Sequence, residues 1–382
     1  MAKHKQRHSH DTNPPPPSTC VAVSVIVPLY NAEKFIGECL DSLLEQTFRD
    51  FEVIVVDDCS TDSSPVIVRS YEEKFNGRLI FTKMKVNTGG GGEPRNKGLL
   101  FSRGEYVFFM DADDALTPTA LEEMYNLAKE FEADVVYCEK YYVSEGTGQT
   151  FKNNIRVADT NLQTGGFVKK PTLETDNLVE RIQKATTWKY WVTPWQRFVS
   201  RKLLTENEIT FPSLIGSNDV GWSFEVLFCA KRFLRVPNLC YIWRMHEESN
   251  TLRRRPIDKL IHKWLDRTVR GLKIIDEFMQ KMPFFQQHQD CRYAVLRFFA
   301  DSDFNSIFPA SLYIPPNIFY EIVRVEFSKE LGDHAVVVAT LASLVNLYQR
   351  ILRDNTNQFN QFAAQAQKRI AELEGELKRR KT

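Results

Sequence analysis

The chain has 382 residues, with 50 Lys and Arg against 49 Asp and Glu and a formal net charge of +1. That balance excludes a protein that holds nucleic acid through bulk positive charge, and 27 Phe, 13 Tyr and 6 Trp exclude a disordered chain. The length predicts two or three domains rather than one small core.

Residues 1–20 are rich in His, Lys and Pro and end in four prolines, which predicts a disordered or polyproline arm. Val21 to Val27 is a β-branched run broken at Pro28, and predicts a buried strand. A helix follows, with Ile36, Leu40, Leu43 and Leu44 on one face and Asn31 as its expected N-cap. Phe51 to Val56 predicts a second strand ending at Asp57-Asp58. A helix from Pro65 carries Ile67, Tyr71 and Phe75, and Leu79 to Met84 reads as a third strand. Gly89 to Gly92 form a glycine loop that opens a helix through Arg103, and Tyr106 to Met110 is the fourth strand. Leu121, Met124, Tyr125 and Ala128 stripe another helix ahead of a strand over Ala133 to Cys138. Strands alternating with amphipathic helices predict an α/β fold with a largely parallel sheet covered on both faces.

Residues 146–255 are less regular and rich in Trp, and the chain from 256 onward reads as helical. Phe359, Phe362, Ala366, Ile370, Leu373 and Leu377 recur at helical spacing within an amphipathic tail over 356–382, suited either to self-association or to packing on its own domain. The apolar stretch Ala335 to Leu347 is broken by Thr340, Ser343 and Asn346, short of the roughly 20 residues that span a bilayer. A soluble or at most peripheral protein is expected. Seven scattered cysteines with no Cys-x-x-Cys pair argue against a disulfide framework or a zinc site and fit a reducing compartment.

The chemistry concentrates where strands end. Asp111-Ala112-Asp113 follows the apolar run Tyr106 to Met110, and carboxylates so placed suit Mg²⁺ or Mn²⁺ whose shell is completed by water and substrate phosphate. Ligands of open α/β sheets bind beyond the carboxyl ends of the strands. Asp58, the glycine loop and Asp111/Asp113 all fall on that edge. Backbone N–H groups of the loop are placed to receive phosphate, though four glycines also read as a plain turn. Arg95, just inside the next helix, is read equally as a nucleotide contact or an ion-pair partner.

The motifs Val23 to Asn31, Leu43 to Phe48, Glu52 to Asp62, Asn87 to Gly90, Pro94 to Gly98 and Gly104 to Asp114, in this order, resemble the inverting family 2 glycosyltransferases of bacterial surface-glycan synthesis. A weaker similarity continues through Pro194-Trp195, Phe211-Pro212, Asn218-Asp219 and Tyr241 to His246. The resemblance implies a GT-A fold: a Rossmann-like nucleotide-binding mixed sheet over 21–145, an acceptor-binding half over 146–255, and a helical C-terminal region over 256–355. It implies nucleotide contacts from Pro28, Tyr30, Asp58, Gly90, Arg95 and Asp111, with Tyr30 against the base and Asp58 on a ring N–H. It implies metal ligation by Asp111, Asp113 and His246, with Asp114 structural, and Asp219 as the base that takes the acceptor's proton. Asn218 stands where many relatives have Glu. Trp195 and Trp222 are candidates for a sugar platform or for the core, and Arg253-Arg254-Arg255 for a lid or a solvated basic run.

The implied activity is metal-dependent (Mn²⁺ or Mg²⁺) transfer from a nucleoside-diphosphate sugar, UDP-linked in the first instance, to a saccharide or lipid-linked saccharide. The expected setting is the cytoplasm, with peripheral contact at the inner membrane face and association through the C-terminal helices. The alternatives are a nucleotidyltransferase, disfavoured because Pro28 to Asn31 stands where a lysine-bearing glycine signature belongs, and a non-catalytic assembly subunit.

Overall fold

The computed structural model describes residues 21–145, 155–158, 167–187, 190, 192–214, 218–246 and 256–379. The expectations for the arm 1–20, for Trp188, Trp191 and Arg253 to Arg255, and for the side chains of Phe362, Ala366, Ile370, Leu373 and Leu377 lie outside the described residues.

The first half alternates as the sequence predicts: β1 (Val23–Leu29), α1 (Ile36–Leu44), β2 (Phe51–Asp57), α2 (Ser64–Ser70), β3 (Leu79–Lys83), α3 (Gly92–Phe101), β4 (Tyr106–Phe109), β5 (Ala115–Leu116), α4 (Ala120–Glu130) and β6 (Val135–Glu145). There follow β7 (Ile155–Val157), β8 (Thr172–Leu173), α5 (Leu178–Thr186), β9 (Arg197–Ser200), α6 (Arg201–Glu206), α7 (Asn218–Cys229) and β10 (Phe233–Met245). These strands make one ten-stranded sheet of order β3-β2-β1-β4-β9-β6-β10-β5, with β7 added on β6 and β8 on β10. Strands β1 to β4 are parallel, β9 runs antiparallel between β4 and β6, and β10 is parallel to β6.

Side chains alternate across the sheet. Val23, Val25, Val27, Val53, Val55 and Phe108 face a core shared with α1 and α4, whereas Ile26, Ile54, Val56, Val107 and Phe109 face a second core shared with α5 and α7. Burial on both faces explains the near-continuous apolar runs, whose polar members Ser24 and Glu52 satisfy each other at 2.7 Å. Helix α3 lies close on β1, because a Cβ at Gly98 would fall 2.3 Å from Ile26 Cγ2.

Asn31 is not the N-cap of α1, whose N-cap residue is Phe35. Asn31 instead adopts a left-handed φ of 48° and its Oδ1 accepts from Thr61 N at 2.8 Å, which ties the end of β1 to the turn after β2.

The remaining helices are α8 (Ile257–Lys281), α9 (Pro283–Gln287), α10 (Gln289–Ser311), α11 (Pro316–Leu331) and α12 (Ala335–Arg379). The chain forms two compact units, one of residues 1–253 with 271–299, the other of 254–270 with 300–382. In the second, Ile261, Leu265, Ile307, Phe319, Val323, Ala339 and Ala342 form the core. Helix α12 turns small residues inward there, while Val337, Leu341, Leu344, Tyr348 and Phe359 remain exposed. One sequence expectation is corrected: Pro316–Gln365 contains an 18-residue window of mean hydropathy 1.5, only 22% buried, which is long and apolar enough to cross a membrane by length and composition. Thr340, Ser343 and Asn346 interrupt the run without adding charge, so they lower its hydropathy less than the sequence reading assumed.

Candidate active site

The parallel register aligns Leu29 with Asp57 and Ile26 with Phe109, so the segments leaving β1, β2 and β4 emerge on one rim. Pro28 is the penultimate residue of β1, in register with Val56, and Tyr30 just beyond the strand is 51% exposed, its ring open to solvent. Asp58 is buried, and its backbone N–H donates to Leu29 O at 2.7 Å. Its carboxylate accepts from Thr88 N at 2.9 Å, and the Thr88 hydroxyl lies 3.0 Å from its Oδ2 and 3.1 Å from Gly90 O. Burial pushes the Asp58 carboxyl above its ordinary range, and the Thr88 bonds oppose that shift. The glycine loop is therefore fastened to the Asp58 end of the rim.

Residues 111–114, which follow β4 and Met110, are held from several directions. Asp114 is buried, accepting from Tyr241 OH at 2.6 Å and from Arg244 N at 2.8 Å. The same Tyr241 oxygen accepts from Asp111 N at 3.1 Å. Arg244 Nε donates to Asp113 O at 2.8 Å and its Nη2 to Glu38 Oε2 at 2.5 Å. The structural role expected of Asp114 is thus to anchor the loop to β10. Burial, then the neighbouring Asp113 and Asp111, push its carboxyl well above the usual range.

Arg95, on the first turn of α3, is almost fully buried and forks between two carboxylates. Its Nη2 donates to Asp111 Oδ1 at 2.7 Å and its Nη1 to Asp219 Oδ1 at 3.0 Å. Asp219 stands in the first turn of α7 with 37% of its side chain exposed, and Asp111 retains 33%. Burial raises both carboxyls, and Arg95 works against the rise in each. Thus Asp111 and Asp219, 108 positions apart in sequence, share one cation.

Asp113 Oδ2 lies 2.9 Å from His246 Nε2, and the His246 ring rests on Phe35 at 4.3 Å between centroids. His246 Nδ1 is buried without a hydrogen-bond partner among the described residues. Among the described residues no three His, Cys, Asp or Glu converge as a ready ligand set. The donor pair nonetheless fits a hard or borderline divalent ion, since Mg²⁺ and Mn²⁺ take one or two protein carboxylates, accept imidazole in the case of Mn²⁺, and leave positions for phosphate. Asp113 and His246 are the pair that would hold it, and Asp111, whose Oδ1 is taken by Arg95, keeps its other oxygen outside that bond.

Trp222 is fully buried and stacks on Phe211 at 4.8 Å, so it belongs to the core and is no platform for a sugar. Trp195 is partly buried and stacks on Tyr241 at 4.5 Å. The sequence reading assigned no role to Thr88, Tyr241, Arg244 or Glu38. One signal was available for Arg244: a cation inside the apolar strand Tyr241 to Met245 must be buried against a carboxylate.

A doubly covered sheet with an acidic, partly open rim at the carboxyl ends of its parallel strands has its polar groups where ligands of open α/β domains bind. The crystal structure of S. aureus TarS 1-349 in complex with UDP-GlcNAc has the same fold, with a TM-score of 0.61 and 23% identity over 88% of this chain and 92% of that one. Residues 24–193 match the family model Glycosyl transferase family 2, and the sheet has the GT-A architecture expected from the sequence. Among curated proteins it is 35% identical over 195 residues to a poly(ribitol-phosphate) beta-glucosyltransferase of Bacillus spizizenii, covering 50% of this chain and 27% of that protein. It is 31% identical over 228 residues to the uncharacterized glycosyltransferase YibD of Escherichia coli, covering 59% and 62%. The chain thus spans between about a quarter and two thirds of these relatives' lengths.

Proposed function

We propose that the protein is an inverting glycosyltransferase that moves a sugar from a nucleoside-diphosphate sugar, UDP-linked, onto a saccharide or lipid-linked saccharide of a surface polymer. The observation that carries the proposal is the convergence of Asp111, Asp113 and Asp219 on one rim, with Tyr30 and Asp58 further along it. In this reading Tyr30 offers its ring face to the base and Asp58 accepts from a ring N–H beside Pro28. Gly90 and Asp111 line the ribose and diphosphate side. Asp219 takes the proton of the acceptor hydroxyl as its oxygen bonds to the anomeric carbon, while the bond from that carbon to the diphosphate oxygen breaks on the opposite face. A divalent ion, when bound, would be held by Asp113 and His246 and would supply Lewis-acid neutralisation of the departing nucleoside diphosphate. The residues' own contribution is to bind, to aim the base and to keep the rim's carboxylates paired.

The TarS complex with UDP-GlcNAc supports a UDP donor, and relatives named for poly(ribitol phosphate) support a polymer of that kind as acceptor. The reading places the work in the cytoplasm at the inner face of the membrane, with the donor half over 21–145 and the acceptor half over 146–255. The exposed apolar residues of α12 suit either association of copies or membrane contact.

The test is a hydrolysis and transfer screen over UDP-, GDP- and dTDP-sugars, with and without Mn²⁺, using poly(ribitol phosphate) and lipid-linked saccharides as acceptors. Turnover with a UDP-sugar that is lost in chelator and in Asp113→Asn, with melting unchanged, is expected. Full turnover of Asp113→Asn, or in excess chelator, refutes the metal role. Absence of UDP binding by calorimetry refutes the donor.

A further inference from the structure

The glycine run does more than turn the chain. Of its glycines, Gly89 adopts a left-handed φ of 74°, whereas Gly91 has a φ of −76° that any residue can adopt. What Gly91 and Gly92 provide is space. A Cβ at Gly92 would lie 2.5 Å from Asn218 Nδ2 and 3.1 Å from its Cγ, and one at Gly91 would lie 3.0 Å from Arg95 Nη1. A real Cβ essentially never comes as near as 2.5 Å, so the missing side chain at Gly92 makes room for Asn218 at the start of α7, while the one at Gly91 makes room for the Arg95 guanidinium. Two of the loop's N–H groups are already used within the protein, Thr88 N on Asp58 and Gly89 N on Asn87 Oδ1 at 3.0 Å, which weakens a phosphate-cradle reading.

Further contacts fix the same junction. Asn96 exchanges two bonds with the Phe211 backbone, Nδ2 to O at 2.8 Å and N to Oδ1 at 2.7 Å, and Glu93 accepts from Ser213. The Arg95 guanidinium sits 5.3 Å from the Phe211 ring centroid. Only one oxygen of Asp219 is taken by Arg95, and Asn218 has no charge with which to orient its neighbour.

We propose that Gly91, Gly92 and Arg95 form the seat of the base: Gly92 sets how closely the α7 N-terminus lies, Gly91 leaves room for the Arg95 guanidinium, and Arg95 holds one Asp219 oxygen so that the other meets the acceptor. Arg95 is on this reading a positioning residue, and the bridge it makes to Asp111 registers the base against the donor side of the rim. A planar fork serves two carboxylates at once, which a lysine ammonium does not reproduce in geometry. The inference rests on Asp219 being the base.

The experiment uses the full chain and the UDP-sugar that wild type turns over, with UDP affinity measured separately by calorimetry. Gly92→Ala is expected to lower kcat by about 100-fold, the cost of misplacing a reacting group by about 1 Å, with UDP affinity within about threefold. Gly92→Ala combined with Asn218→Gly removes the clash and is expected to recover at least about tenfold of the loss. Arg95→Lys, which keeps the charge, is expected to lose about 10- to 100-fold in kcat. Unchanged kcat in Gly92→Ala and Arg95→Lys overturns the seat. So does a Gly92→Ala variant whose UDP affinity falls in step with kcat, which makes the loop a nucleotide contact instead. Full turnover by Asp219→Asn overturns the base assignment itself, and is distinguished from failure of the seat because Asp219→Asn is inactive in the latter case.

Discussion

Tyr241→Phe isolates one hydroxyl. The Tyr241 ring stays stacked on Trp195 at 4.5 Å and near Phe108 at 6.2 Å, so apolar burial is conserved and only the oxygen is lost. That oxygen donates to Asp114 at 2.6 Å and accepts from Asp111 N at 3.1 Å. A hydrogen bond to a charged group contributes about 1.5–3 kcal/mol, and a donor left without a partner costs about 1–3 kcal/mol when buried. Asp111 N is only partly buried, so the sum is taken near the lower ends, about 3 kcal/mol. For a unit of this size that corresponds to a fall in Tm of about 5 °C, read by differential scanning calorimetry on the transition of the sheet-bearing unit. Because Asp111 to Asp114 is then tied to β10 chiefly through Arg244, kcat is expected to fall by at least about tenfold. A Tm within about 1 °C of wild type together with unaltered turnover refutes the claim that this hydroxyl holds the loop.

Glu225 on α7 is 5% exposed, and burial pushes its carboxyl up to about 8, with Lys281 opposing. The folded state therefore keeps this proton to higher pH than the unfolded state does, and stability falls as pH rises from about 4.5 to about 8. Glu225→Gln is expected to flatten that slope, matching wild type near the acid end and exceeding it at pH 8 by at most about 5 kcal/mol in urea titrations. A parallel slope in both proteins contradicts the assignment. Three glycines form a graded series. A Cβ at Gly104 meets backbone (Ser24 N at 2.4 Å), at Gly98 it meets the Ile26 side chain at 2.3 Å, and at Gly37 it sits 3.5 Å from Tyr71 OH. Alanine is expected to cost more than about 3 kcal/mol at Gly104 and about 1–3 at Gly98, and to be neutral or stabilising by up to about 1 at Gly37 in α1. Any other order in thermal melts overturns it.

The sequence displays the parts of the fold that rest on continuous local signal. Val23 to Val27, Phe51 to Val56 and Tyr106 to Met110 are mostly apolar on both faces because both faces are covered, and the last two run straight into the acidic residues of the rim. The acidic residues 58, 111, 113 and 219 stand out by type and position. What the sequence does not display is pairing at a distance. Arg95 gives no sign of which carboxylates it serves, since one lies 16 and the other 124 positions away. Tyr241 reads as one more strand aromatic until Asp114 is brought to it across 127 positions. Asn31 has the composition of an N-cap, yet its left-handed backbone and its bond to Thr61 make it a loop tie. Trp222 was ambiguous because an indole serves a sugar or a core equally well, and only burial decides.

Strand β9 carries a consequence for anyone choosing where to cut this chain. The family-matched stretch ends at 193, but β9 (Arg197–Ser200) is the stave between β4 and β6. A fragment ending at the recognised border keeps both neighbours and discards what joins them, leaving Tyr106 to Phe108 and Val135 to Tyr137 as two raw, self-adhesive margins. Kinship and foldability have different borders here, and an expression fragment needs to run past β10 to close the gap and to include Tyr241 and Arg244.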